Sequence, residues 1–286
     1  MSTQITTAFV NQFSANIQML SQQMGSLLRN AVDVESVNGE KAFFDQVGAA
    51  AAVLRTSRHG DTPLVDTPHS RRMVTMSDYE YADLIDDQDK VRLLVDPTST
   101  YSRAAAAAMG RAMDDVIISA ALGNAQTGKD GSTTTALPAS QKIAVAASGL
   151  TIAKLVEAKE ILDSGNVDPS ITRHIVVSPK QVSDLLNNTT VTSSDYNTVK
   201  ALAMGEINTF VGFNFITSNR LGLDANSDRQ VIAFASDGIK CAIGKEPAAR
   251  IDERADKSYA TQVYYCQSVG ATRMEESKVV EIACSE

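Results

Sequence analysis

Tryptophan is absent, and aromatic residues make up only 5% of the 286-residue chain, so stacking platforms for single-stranded nucleic acid are missing. Cys241, Cys266 and Cys284 are too few and too scattered for a disulfide framework or a Cys-type zinc site, which makes a reducing cytoplasm the simplest compartment. Three histidines occur, His59, His69 and His174, without a shared metal-ligand spacing. No apolar run approaches the roughly 18 residues of a membrane span. The opening MSTQITTAFVNQF lacks the basic and apolar regions of a secretory signal, so none is expected. Positive charge is in deficit: 26 Lys and Arg against 34 Asp and Glu leave a formal net charge of −8, which argues against an extended phosphate-binding face. G-x-S-x-G, H-E-x-x-H and C-x-x-C are missing too. No cofactor or metal is expected, and nothing positive supports an enzyme.

One motif is present in outline. In GNAQTGKDGS, Gly123, Gly128 and Lys129 stand at the G-x-x-x-x-G-K spacing of a nucleotide-binding P-loop. Asp130, however, occupies the place of the metal-binding Ser/Thr and would repel phosphate; an alanine-rich run precedes the motif instead of a strand, and no helix start follows. The stretch reads as a helix C-cap running into a flexible surface loop.

The hydrophobic fraction of 43% over this length suffices for one elaborate domain or two. Phe9, Phe13, Ile17, Leu20, Met24, Leu27 and Ala31 follow helical spacing and predict an N-terminal amphipathic helix docked on its own domain or a neighbouring subunit, with a hinge near Gly39. Residues 48–95 alternate short apolar runs with turn chemistry and predict a long hairpin-like excursion, with KVRLLVD as a strand or linker before Pro97. Thr98 to Leu122, closed by Gly123, predicts one helix about 37 Å long, with Met109, Met113, Val116, Ile117 and Ala120 facing the core. Asp114 and Asp115 in it point about 100° apart, which suits surface or intersubunit ion pairing and not acid/base work.

A second helix, capped by Thr151 and stopped by Gly165, turns Ile152, Leu155, Val156 and Leu162 inward. ITRHIVV is a strand, in which His174 is structural, and Ser178-Pro179 opens another helix. DYNTVKALAMG is helical; Val211, Phe213 and Phe215 alternate around Gly212 in a strand, and QVIAFAS, KCAIG, QVYYC and KVVEI add further strands. The chain is mixed α+β.

Two charge blocks of opposite sign lie close together. Arg55, Arg58, Arg71 and Arg72, with His59 and His69, form a basic cluster; Asp78, Glu80, Asp83, Asp86, Asp87 and Asp89 form an acidic stretch. They can pair within one chain or between copies of it, or stand as a solvated surface.

The stretch ADLIDDQDKVRLLVDPTSTYSRAAAAAMGRAMDDVIISAALGNA, together with GEINTFVGFNFITSNRL and SVGATRMEESKVVEI, resembles the major capsid proteins of tailed bacteriophages, podovirus-like members of the Hong Kong 97-type fold, over most of the chain from about residue 45. The resemblance implies an N-terminal arm (1–45), an extended loop over a neighbouring subunit (46–95), a peripheral domain on the spine helix (96–149), an axial domain (150–240) and a return to the peripheral domain (241–286). It implies hexamers and pentamers of this chain closing into an icosahedral shell around double-stranded DNA, in the virion and assembled in the host cytoplasm. Portal and decoration proteins are further expected partners; the chain shows no long scaffolding extension, so a separate scaffolding protein is expected, and no covalent crosslink is matched. Contacts between copies are expected from Arg55, Arg58, Arg71 and Arg72, from Asp83, Asp86, Asp87 and Asp89, and from Phe9, Phe13 and Ile17. An encapsulin-type compartment shell, a head or tail accessory protein and an unrelated hydrolase stay as alternative readings.

Overall fold

The computed structural model describes residues 21–62, 64–85, 98–187 and 209–286. Phe9, Phe13, Ile17, Asp86, Asp87 and Asp89, the strand expected at KVRLLVD and the helix expected at DYNTVKALAMG lie outside them. The strands are β1 (Asp33–Ser36), β2 (Lys41–Val47), β3 (His69–Thr75), β4 (Ser77–Ile85), β5 (Ala125–Thr127), β6 (Thr133–Thr135), β7 (Lys142–Ile143), β8 (Arg173–Val177), β9 (Thr209–Phe210), β10 (Phe213–Thr217), β11 (Arg229–Ala235), β12 (Ile239–Arg254), β13 (Ala260–Arg273) and β14 (Val279–Cys284). The helices are α1 (Thr98–Leu122), α2 (Ile152–Ser164) and α3 (Pro179–Asn187). Two compact units share the chain: residues 1–26, 78–111 and 245–267 form the smaller, and 27–77, 112–244 and 268–286 the larger.

The larger unit is built on a six-stranded sheet in the order β7-β14-β11-β8-β10-β9. β11 runs antiparallel to both β14 and β8, while β10 runs parallel to β8. Ile175 to Val177, Val231 to Ala235 and Val279, Val280 and Ile282 are buried, the near-continuous apolar runs of strands covered on both faces. α2 packs on β14 through Leu155, Ala158 and Leu162. Thr151 caps it, accepting from the Lys154 backbone N–H. Val156, expected on the buried side, is exposed. Lys154 takes the inward position, because its ammonium donates to the carbonyls of Val145, Ser148, Gly149 and Ala283 at 2.8–3.1 Å.

Gly212 does not sit inside a strand. Val211 and Gly212, with φ of 53° and 84°, form the two-residue turn of a hairpin in which Phe213 pairs Phe210. Positive φ at both central residues is the type I′ geometry that matches strand twist.

A second sheet of the larger unit, in the order β2-β3-β5-β6, covers a small core of Ala42, Phe44, Val74 and Ala242 with Val37, Met76 and Met274. The flexible loop expected after Gly123 is therefore ordered: β5 and β6 make a hairpin, and β5 pairs β3. Gly131, at φ 67°, lies where a Cβ would come within 2.4 Å of the Met73 sulfur.

α1 covers the predicted range Thr98–Leu122, with Thr98, Ser99 and Thr100 inside its first turn. Ala105, Met109, Met113, Ile117 and Ala121 are buried at i, i+4 spacing, with Ala107, Asp114 and Ile118 buried beside them; Val116 and Ala120 are half-buried. The last turn of α1 contains no basic residue. Arg273, fully buried on β13, supplies the cation, donating to the carbonyls of Ala121 and Gly123 at 2.9 and 2.8 Å and to Thr135 O at 3.0 Å. Asp114 is not at the surface: it is buried and accepts the backbone N–H groups of Leu27 and Leu28, both at 3.1 Å. Asp115 pairs with Arg220.

The predicted N-terminal helix does not continue through Leu27 and Ala31, since no helix occurs in residues 21–32. Gly25 adopts φ 78°, and in the smaller unit Gly110 of α1 approaches it so closely that a Cβ would lie 2.3 Å from the Gly25 carbonyl carbon. The 3–4 spacing there does not mark a buried face: Met24 and Leu27 are exposed, while Leu28 and Ala31 are buried. Elsewhere in the smaller unit, Arg111 donates to Gln22 Oε1 and Gln23 O, Gln267 to Met109 O, and Tyr264 to Glu80.

Candidate subunit interface

β2 and β3 form an antiparallel hairpin in register from Lys41 against Thr75 to Val47 against His69. Beyond it the chain makes an excursion, residues 48–68, closed at its base by Gly48 N–H donating to Pro68 O at 2.8 Å. Among the described residues of this excursion no side chain is buried. Leu64 is 99% and Leu54 85% exposed, with Val53 and Val65 also open to water. A loop of this length ordinarily folds over its own side chains or over a partner. Among the described residues nothing covers these apolar side chains, which form a surface suited to burial against another molecule.

The predicted basic cluster divides in two. Arg55 and Arg58 lie exposed on the excursion, where Arg55 donates to the backbone carbonyls of Ser57 and Arg58. Arg71 and Arg72 lie on β3, and strand alternation gives these neighbours different surroundings. Arg71 is partly exposed; it pairs with Asp45 at 2.5 Å and sits 5.5 Å over the Phe43 ring. The pair holds the Asp45 carboxyl below its ordinary range and raises Arg71. Arg72 is buried, donating to Met274 O at 2.8 Å and to Glu276 at 2.7 Å. Within the acidic stretch, Asp83 accepts from the Leu84 N–H and from the Tyr81 hydroxyl, whose pKa burial raises.

Pairing of β3 with β5 adds residues that the spacing along the chain does not group. An open cleft of about 720 Å³ is lined by Asp45, His69, Arg71, Arg72, Lys129 and Glu276. Lys129 belongs to the P-loop-like stretch, and the sequence signal that could have placed it in this cleft is the turn chemistry of Gly128-Lys129-Asp130-Gly131 between the β-prone Thr127 and Thr133 to Thr135. Among the described residues no group of three His, Cys, Asp or Glu side chains is placed to hold a metal, and no helix is long and apolar enough to cross a membrane. His174 packs beside Phe234 at 5.8 Å, and burial lowers its pKa, as suits a structural imidazole. The three cysteines are free and buried.

A family model described as phage capsid protein matches residues 5–286. Among solved structures the chain is similar to the capsid of cyanophage P-SCSP1u, at 17% identity and TM-score 0.77, covering 100% of this chain and 96% of that one. It is also similar to the capsid of Ralstonia phage GP4, at 11% identity and TM-score 0.73 with 96% and 95% covered, and to the cyanophage Pam1 capsid, at 14% and 0.71 with 98% and 97% covered. A search of curated protein sequences gives no match. The shared fold is the Hong Kong 97-type capsid fold, with helix and strand mixed as expected. The matched span takes in the uncovered excursion, the hairpin that carries it and the spine helix, so these surfaces are those of a shell-forming major capsid protein, and the chain belongs to the phage capsid protein family.

Proposed function

We propose that copies of this chain assemble as hexamers and pentamers that close into an icosahedral shell around phage double-stranded DNA. The observation that carries this reading is the excursion 48–68: Val53, Leu54, Leu64 and Val65 are exposed, gain about 1.5–3 kcal/mol each when fully buried, and in a shell a neighbouring copy buries them. Repeated in every copy, such modest contacts sum to a stable shell yet can be redistributed when the shell rearranges.

In this reading the chain divides into an arm (1–45), an extended loop (46–95), a peripheral part on α1 (96–149), an axial part (150–240) and a return to the periphery (241–286). Arg55, Arg58 and Asp83 contact neighbouring copies, joined by Phe9, Phe13, Ile17, Asp86, Asp87 and Asp89. Arg71 contributes through its exposed face and Arg72 from within the cleft. The role is structural and not enzymatic. A net charge of −8 supports a container that holds DNA without binding its sequence. A separate scaffolding protein, a portal and a decoration protein complete the partners, and three reduced, buried cysteines suit assembly in the host cytoplasm.

Expression of the chain alone and with its scaffolding partner, followed by size-exclusion chromatography and electron microscopy, tests the reading. Closed shells tens of nanometres across are expected on the scale of such assemblies. A stable monomer or small ring under both conditions would overturn it.

A further inference from the structure

Several cations meet in one cleft of a chain that is acidic overall. The β3–β5 pairing brings Arg71, Arg72, Lys129 and His69 to one open cleft of about 720 Å³, with Asp45 and Glu276 as its carboxylates. Asp45 is engaged by Arg71. Glu276 serves two guanidinium groups, Arg72 at 2.7 Å and the fully buried Arg273 at 3.7 Å. One carboxylate between two buried cations leaves a net positive charge out of water, an arrangement that is costly unless an anion completes it. The Arg72 side chain is 9% exposed; Nε and Nη2 are bonded, and Nη1 has no hydrogen-bond partner. Lys129, exposed on the β5–β6 turn, has no partner among the described residues.

We propose that this cleft receives an acidic side chain from a second copy of the chain, its carboxylate closing on the Arg72 and Lys129 nitrogens. Guanidinium and carboxylate match in shape as well as charge, and a pair shielded from water inside an interface is far stronger than one at an open surface. The chain carries 34 acidic residues, and Asp61, Asp66, Asp252 and Glu253 are exposed with no partner among the described residues, so any copy presents suitable groups. A duplex backbone would call for a broad basic face, whereas these cations share one cleft with two carboxylates. The P-loop-like spacing thereby gains a role: Lys129 serves as an anion ligand for protein and not for nucleotide.

The proposal rests on the shell reading, and its test separates the two. Wild type, Lys129→Gln and Lys129→Glu are produced with the scaffolding partner, their urea midpoints and particle yields are compared, and the wild-type shell is imaged at side-chain resolution. All three proteins should unfold at the same midpoint, Lys129→Glu should lose particle yield at least tenfold on the order expected for a reversed interface charge, and Lys129→Gln should lose less. The wild-type shell should show a carboxylate of a neighbouring copy within about 4 Å of an Arg72 or Lys129 nitrogen. Full yield from Lys129→Glu, or a cleft holding only water, a phosphate, nucleic acid or its own chain, would overturn the proposal while leaving the shell intact. Failure of the wild type to form particles would overturn the shell reading and this proposal with it.

Discussion

Lys154 and Arg273 place full charges inside the larger unit, both held by backbone carbonyls, while the buried Nε of Arg273 has no hydrogen-bond partner. The Lys154 ammonium faces four acceptors. Lys154→Met should therefore keep the volume but strand those carbonyls, lowering the unfolding free energy of the unassembled protein by about 2–4 kcal/mol in urea titrations. Arg273→Met removes the cation at the end of α1 and leaves Arg72 and Glu276 to pair alone; a loss of about 3 kcal/mol is expected by the same measurement. Close to Lys154, burial pushes the Cys284 thiol up to about 11 from its ordinary 9.0. The unfolded thiol ionises first as pH rises, so this contribution to stability is intact below pH 9.0 and declines toward about 11. At pH 8 iodoacetamide should label the cysteines only after unfolding. None of these roles could be read from spacing. The outward look of Asp114, Lys154 and Arg273 in sequence comes from their type, and only the tertiary neighbours that arrive from residues far along the chain make them interior.

At the scale of elements, legibility follows how local the determinant is. α1 runs as predicted up to its stop at Gly123, and β8, α2 and α3 likewise start at their own signals. The hairpins at 123–135 and 209–217 depend on which strands meet, and their turn glycines look the same in a loop or inside a strand. The stretch 21–32 misleads for a related reason: its apolar spacing is helical, but the left-handed Gly25 and its close approach to Gly110 are set by tertiary neighbours. Two substitutions probe these points. Gly110→Leu should drive residues 22–28 from α1 and lower the melting temperature by several degrees, about 2 kcal/mol for a side chain with no room, without changing α1 helicity. Val211→Asn should raise stability by roughly 1 kcal/mol, because Asn tolerates the left-handed backbone that a β-branched residue resists.

For the whole molecule, the excursion 48–68 separates folding from assembly. Its base is closed by the Gly48–Pro68 hydrogen bond, and none of its described side chains is buried. Replacing residues 49–67 with a two-residue turn should leave the melting temperature within a few degrees of wild type and abolish particles in the electron microscope. The composition pointed to this level early: an acidic chain without catalytic motifs, carrying a long loop with few core residues, has little to do alone. The most direct test of that claim is hydrogen exchange and side-chain footprinting of residues 48–68 in assembled particles against unassembled protein. The account predicts strong protection of Val53, Leu54 and Leu64 on assembly, and equal exposure in the two states would contradict it.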